Sequence, residues 1–267
     1  MSTYSPTILV MIDGLRPDAL DQIDCPNLRS LIARGASSLT ARSVMPSVTL
    51  PCHTSIFHSV PPTRHGITVN VWTPMARPLP GLVDVAKEAG KRCSFIYNWE
   101  PLRDVSRPEK LYASFFRDTS YNLPEGDDWV ADHAASHIRE EQPDFAFVYL
   151  GTVDTMGHAS GWMSENYLRQ SEIADRNLGK VMAALPASAH ILVQADHGGH
   201  ERGHGTEMVE DMTIPWIIAG PRIKQGYTIE APVSLIDSAP TLAHLMGVSA
   251  HRDWEGRIVT EALRESN

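Results

Sequence analysis

The sequence has 267 residues, with 23 Lys+Arg against 32 Asp+Glu for a formal net charge of −9, which is enough chain for one generous α/β domain with a full core. Hydrophobic residues at 42% and charged ones at 21% exclude disordered and fibrous classes, and the acidic balance gives no nucleic-acid-binding signature. No apolar run approaches the ~20 residues of a membrane helix, the opening MSTYSPTILVMID has no basic leader region, and three cysteines without close spacing point to the cytoplasm rather than to a disulfide framework.

In chain order, residues 8–12 read as a strand that ends in Asp13-Gly14. Residues 26–34 read as a helix with Gly35 as its C-cap. The run Met45-Pro46-Ser47-Val48-Thr49-Leu50-Pro51-Cys52 reads as a loop entering a helix, with Pro51 in the first turn. The stretch 72–127 carries six prolines (74, 78, 80, 101, 108 and 124) and the least pattern, although residues 94–97 read as a strand. Part of it is expected to lie over the site as a small cap. Beyond it come a helix at 127–141, a strand at 145–150, a helix at 164–185, strands at 191–195 and 214–219, and a helix at 235–246 closed by Gly247. Continuous apolar strands alternating with helices describe an α/β fold, a mostly parallel sheet covered on both faces, in a single domain over 1–267.

Three of these strands run into residues that can bind metal. The first ends at Asp13, the 145–150 strand leads to Asp154 and His158, and the 191–195 strand leads to Asp196-His197-Gly198-Gly199-His200 and then His204. The carboxyl ends of parallel strands form the ligand-binding edge of an open sheet, so these residues can converge despite their separation in sequence. Any one of them alone is more often a helix cap, a turn former or a surface residue; the set on one edge is not explained that way. Asp154 and His158 are one helical turn apart. Mixed imidazole and carboxylate donors suit Zn2+, with Mn2+ or Fe2+ also compatible, and six ligands are too many for one tetrahedral ion. Thr49 sits at a helix's positive end, where free N–H groups favour an anion. Ser47 and Thr54 are equally plausible hydroxyls, and Cys52, with no dedicated base, reads as packing.

The ordered set Ile12-Asp13-Gly14, Thr49-Leu50-Pro51-Cys52-His53, His65-Gly66-Ile67, Asp154-x-x-Gly157-His158, Asp196-His197-Gly198 and His204-Gly205 resembles the alkaline phosphatase superfamily over residues 8–220. The closest likeness is to its nucleotide pyrophosphatase/phosphodiesterase branch. The resemblance implies a doubly wound sheet and a two-zinc site, with manganese as a substitute. It implies that Asp154, His158 and His204 hold one ion, and that Asp13, Asp196 and His197 hold the other together with the Thr49 hydroxyl. Thr49 would be the nucleophile and Asn70 the amide that donates to a phosphoryl oxygen. Cys52, and the position near Leu50 where the family carries Phe or Tyr, depart from the family pattern. His200 competes with His204 for the last ligand position.

Within that superfamily, monoesterases need extra positive charge beside the nucleophile. Here Arg42 and Arg64 are not obviously placed to supply it and Asn70 is neutral, which favours a small phosphodiester substrate. Cys52 lies outside any Cys-x-Pro-x-Arg arrangement, which disfavours a sulfatase. A phosphonate hydrolase and a metal-binding module without catalysis remain as alternatives.

Overall fold

The computed structural model describes residues 4–265; the first three residues of the N-terminal stretch read for a leader, and the last two of the 1–267 domain span, lie outside it. The apolar runs become β1 (Thr7–Ile12), β5 (Phe145–Leu150) and β6 (His190–Gln194), every residue of which is buried. With both faces covered, no alternation of polar and apolar residues is needed, and none is present. The other strands are β2 (Gly35–Arg42), β3 (Cys93–Tyr97), β4 (Ala113–Phe116), β7 (Thr213–Ala219) and β8 (Tyr227–Thr228). All eight form one sheet in the order β4-β3-β5-β1-β6-β7-β2-β8.

The helices are α1 (Pro26–Arg34), α2 (Thr49–His58), α3 (Pro62–His65), α4 (Leu82–Glu88), α5 (Asp128–Glu141), α6 (Thr152–Ser160), α7 (Glu165–Ala183), α8 (Val209–Met212) and α9 (Ser238–Leu245). One group, α1, α5 and α6, packs on α7, while α2, α4 and α9 pack on one another; together they cover the two faces of the sheet. Among the described residues no helix is long and apolar enough to cross a membrane.

Two readings of the sequence change. Gly35 ends α1 but does not cap it in a left-handed turn: its backbone is extended and begins β2. A Cβ there would meet the Ile218 carbonyl oxygen at 2.1 Å, so the glycine serves the close approach of β2 to β7. The strand read at 214–219 runs antiparallel to both of its neighbours, β6 and β2. Part of the stretch 72–127 is built into the molecule as α4, β3 and β4, with β4 forming the outer edge of the sheet. Only Trp99, Ser120 and Tyr121 of it reach the cleft described below.

Candidate functional site

β1 lies between β5 and β6 in parallel register, with Ile12 beside Leu150 and Met11 beside Gln194. The residues that follow these three strands therefore emerge at one edge. Asp13 comes directly after β1, Asp154 lies in the first turn of α6, and Asp196 and His197 follow β6. At Gly14 the chain turns with a φ of +71°, and a Cβ there would lie 3.0 Å from the Asp154 Cα. Only glycine permits both the turn and the approach.

The predicted ligands gather into two adjoining clusters, Asp154 with His158 and His204, and Asp13 with Asp196 and His197. In the first, Asp154 Oδ1 lies 3.5 Å from the Nε2 of both His158 and His204. In the second, His197 Nε2 lies 3.2 Å from Asp13 Oδ1 and 3.4 Å from Asp196 Oδ2. The Nδ1 of His158, His197 and His204 lies 2.9, 2.8 and 2.8 Å from the carbonyl oxygens of Arg202, Gly198 and Ser47. A carbonyl can only accept, so each Nδ1 carries a hydrogen and each ring turns its Nε2 towards the carboxylates.

Asp13 Oδ1, Asp154 Oδ1 and Asp196 Oδ2 are buried without a hydrogen-bond partner. Burial, reinforced by the neighbouring carboxylates, pushes Asp13 well above the usual carboxylate range and Asp196 up to about 7. Burial also raises Asp154 and holds His204 neutral by lowering it. Imidazole Nε2 atoms and carboxylate oxygens thus converge, and the three buried oxygens have no partner in the chain. A divalent cation in each cluster resolves this arrangement, and the donor set fits one.

Three hydroxyls flank the start of α2, and their surroundings differ. Ser47 Oγ donates to the Thr206 carbonyl at 2.9 Å, and Thr54 Oγ1 donates to the Leu50 carbonyl at 2.8 Å. Thr49, the first helical residue, instead has Oγ1 3.2 Å from His197 Nε2, and His53 Nδ1 donates back to the Thr49 carbonyl at 2.7 Å. The Leu50 N–H donates to Asn70 Oδ1 at 2.9 Å, which leaves the Asn70 NH2 as the free end of that amide at the cleft. The same bond removes the Leu50 amide from the helix N–H groups expected to face an anion. Burial raises the Cys52 thiol well above its ordinary value, in keeping with packing.

His200 stands apart from both clusters. Its Nδ1 lies 2.7 Å from Asp211 Oδ1, and Asp211 also accepts from the N–H and hydroxyl of Thr206. His200 therefore braces the loop that carries His204.

Three residues escaped the sequence reading. The Tyr149 hydroxyl, inside β5, donates to Asp13 Oδ2. The buried Asp127 carboxylate accepts from Asn98 Nδ2 at 2.8 Å and Gly151 N at 2.9 Å, fixing the turn into α6; burial raises it to about 6. Trp162 fills the space left by two glycines, since a Cβ at Gly157 or Gly199 would lie 2.6 or 2.2 Å from its ring. Its Nε1 donates to the Gly14 carbonyl at 2.9 Å. Only the glycines beside His158 and His197 signalled such a close approach.

Residues 7–210 match the family model of type I phosphodiesterase / nucleotide pyrophosphatase. The chain is 25% identical over 221 residues to a venom phosphodiesterase of Macrovipera lebetinus, covering 73% of this chain and 25% of that protein. It is 25% identical over 226 residues to ectonucleotide pyrophosphatase/phosphodiesterase family member 3 of Rattus norvegicus, covering 72% and 25%. The chain thus spans about a quarter of the length of both relatives. Among solved structures it resembles murine ectonucleotide pyrophosphatase/phosphodiesterase 5, an inactive threonine-to-alanine variant in complex with AMP. That match has a TM-score of 0.80 at 14% identity and covers 97% of this chain and 100% of that one. A phosphonate monoester hydrolase from Silicibacter pomeroyi aligns with a TM-score of 0.68 at 19% identity, covering 95% and 75%. At these identities the two structures show a shared fold.

Proposed function

Because the chain belongs to the type I phosphodiesterase / nucleotide pyrophosphatase family, we propose that it hydrolyses a phosphodiester or pyrophosphate bond at a two-ion centre, through a phosphothreonine formed on Thr49. The observation that carries the two-ion reading is the ring arrangement, in which three Nε2 atoms are turned towards buried carboxylate oxygens without partners. Asp154, His158 and His204 would hold one ion, and Asp13, Asp196 and His197 the other. Zinc is the ion that best suits these donors, with manganese as a substitute. Bound ions would lower the pKa of a coordinated hydroxyl and offset charge on the phosphoryl oxygens.

The chain's own groups do the rest. The Thr49 hydroxyl, the one of the three not tied to a backbone carbonyl, gives up its proton to solvent and its oxygen attacks phosphorus. The bond to the leaving oxygen breaks as the new one forms, giving phosphothreonine. Water then attacks the same phosphorus, restoring the threonine and releasing a phosphomonoester. The free NH2 of Asn70 would donate to a phosphoryl oxygen. The murine neighbour that was inactive as a threonine-to-alanine variant supports an essential threonine on this fold, and its AMP supports a small phosphorylated substrate.

Asn70 is neutral, and no lysine or arginine lines the cleft among the described residues. A monoester dianion therefore lacks the extra cation it needs, which favours a diester. The test is a comparison of kcat/KM on an aryl phosphodiester, an aryl monoester and an aryl phosphonate by the metal-loaded protein. The diester should be fastest, and a faster monoester or phosphonate would replace this reading.

A further inference from the structure

In the cluster of Asp13, Asp196 and His197, each carboxylate has one oxygen engaged and one free. The Tyr149 hydroxyl donates to Asp13 Oδ2, and the Gly14 N–H donates to Asp196 Oδ1 at 3.3 Å. The other two oxygens, Asp13 Oδ1 and Asp196 Oδ2, are buried without a hydrogen-bond partner. They lie 3.2 and 3.4 Å from His197 Nε2, and Thr49 Oγ1 lies 3.2 Å from the same nitrogen. Two carboxylate oxygens, one imidazole nitrogen and one hydroxyl make up the donor set of a tetrahedral zinc. Were either carboxylate to offer both of its oxygens, that set would be complete without Thr49.

Asp196 is restrained by the backbone, but Asp13 is restrained by a side chain that is itself held in place. Tyr149 lies in β5, on the wall of the cleft of about 390 Å3 beside Thr49. Its ring meets that of His53 edge-on, with centroids 5.3 Å apart, and His53 Nδ1 donates to the Thr49 carbonyl. At Gly151 a Cβ would lie 2.8 Å from Tyr149 Cε1, so that glycine makes room for the ring. We infer that Tyr149 is a positioning residue for the nucleophile: by occupying Asp13 Oδ2 it limits Asp13 to one ligand oxygen and reserves the fourth place on that ion for the Thr49 hydroxyl. The inference rests on the hydrolytic reading above and adds a residue to it.

Tyr149→Phe keeps the ring and removes only the bond. Loss of an ordinary orienting bond to a metal ligand weakens metal binding by about 10–100-fold. A reserved place predicts otherwise. Asp13 would close on the ion with both oxygens, so zinc affinity, measured by competition with a chromophoric chelator, should hold or rise. On an aryl diester kcat should fall by roughly 10²-fold, because the attacking oxygen is displaced, with KM little changed. Crystals of both proteins loaded with zinc read the geometry without turnover. In the unaltered protein Asp13 should meet zinc through Oδ1 alone, with Thr49 Oγ1 as the fourth donor, and in Tyr149→Phe it should do so through both oxygens. Two-oxygen contact in the unaltered protein, or one-oxygen contact in the variant, would overturn the inference. So would a zinc affinity about tenfold or more weaker in the variant, or an unchanged kcat. Failure of the unaltered protein to turn over the diester counts against the hydrolytic reading, while zinc affinity and the crystals still judge Tyr149.

Discussion

The imidazole of His204 stacks on that of His197 with ring centroids 3.8 Å apart and planes 14° from parallel. The two residues belong to different ligand clusters, so the stack is a shared wall between the two candidate ion positions. Each ring is fixed by its own Nδ1 bond, to Ser47 and to Gly198. Two ions per chain are therefore expected by elemental analysis of protein purified without chelator. His204→Ala should lower the count towards one. A single ion in fully active unaltered protein would refute the two-cluster reading.

Thr49→Ala should abolish turnover and leave both the fold and most of the bound metal, because the second cluster keeps Asp13, Asp196 and His197. Thr49→Ser should retain part of the activity. Rapid quenching and mass-spectrometric mapping should find phosphate on Thr49. Phosphate on Ser47 or Thr54 would be unexpected, since both hydroxyls are engaged with backbone carbonyls.

Asn70→Ala removes one donor to the transferring group and should cut diester kcat by roughly 10²-fold. It also frees the Leu50 N–H, which can turn to the substrate and moderate the loss. A rate within twofold of the unaltered protein would exclude Asn70 from the reaction.

Stability without metal should depend on pH in a definite direction. Burial raises Asp196 to about 7 and Asp13 well above its ordinary value, whereas an unfolded aspartate titrates near ~3.9. The folded chain thus holds protons the unfolded chain has released. That contribution is complete below the unfolded value and disappears as pH rises through the folded one. Buried His53 and His190, lowered to about 3 and about 4, act in the opposite sense, but only below the ordinary histidine value of ~6.5. Chelator-treated protein should therefore lose Tm between about pH 6.5 and about pH 8. Added zinc should raise Tm more at the upper end, because it binds the deprotonated ligands. A metal-free Tm that climbs across this window would contradict the coupling.

The gathering of these residues into two clusters was legible because three buried strands end in Asp or lead to Asp and His, and parallel neighbours must deliver their ends to one edge. β2 was not legible: Gly-Ala-Ser-Ser-Leu-Thr-Ala-Arg has neither a continuous apolar run nor clean alternation. With β2 unseen, the antiparallel setting of β7 was hidden too. The choice between His200 and His204 depends on Asp211, eleven residues beyond His200, which claims the His200 ring. Tyr149 looked like one more apolar residue of β5, since nothing in its neighbours marks a hydroxyl aimed at Asp13. The stretch 72–127 lost its pattern to proline, although β3 takes its place by pairing with β5, and β4 by pairing with β3, rather than by their own periodicity.

Trp162 holds a further consequence. Its indole lies edge-on to His158, with centroids 5.1 Å apart, and 5.8 Å from the ring of His204. The same ring bonds Gly14 and fills the space above Gly157 and Gly199. An ion captured by His158 and His204 would therefore arrive against a fluorophore that is anchored and largely shielded from water. The molecule carries its own optical gauge of loading. Titrating metal into chelated protein should shift its ultraviolet emission in step with occupancy, and Trp162→Phe should silence that signal while the other five tryptophans go on emitting.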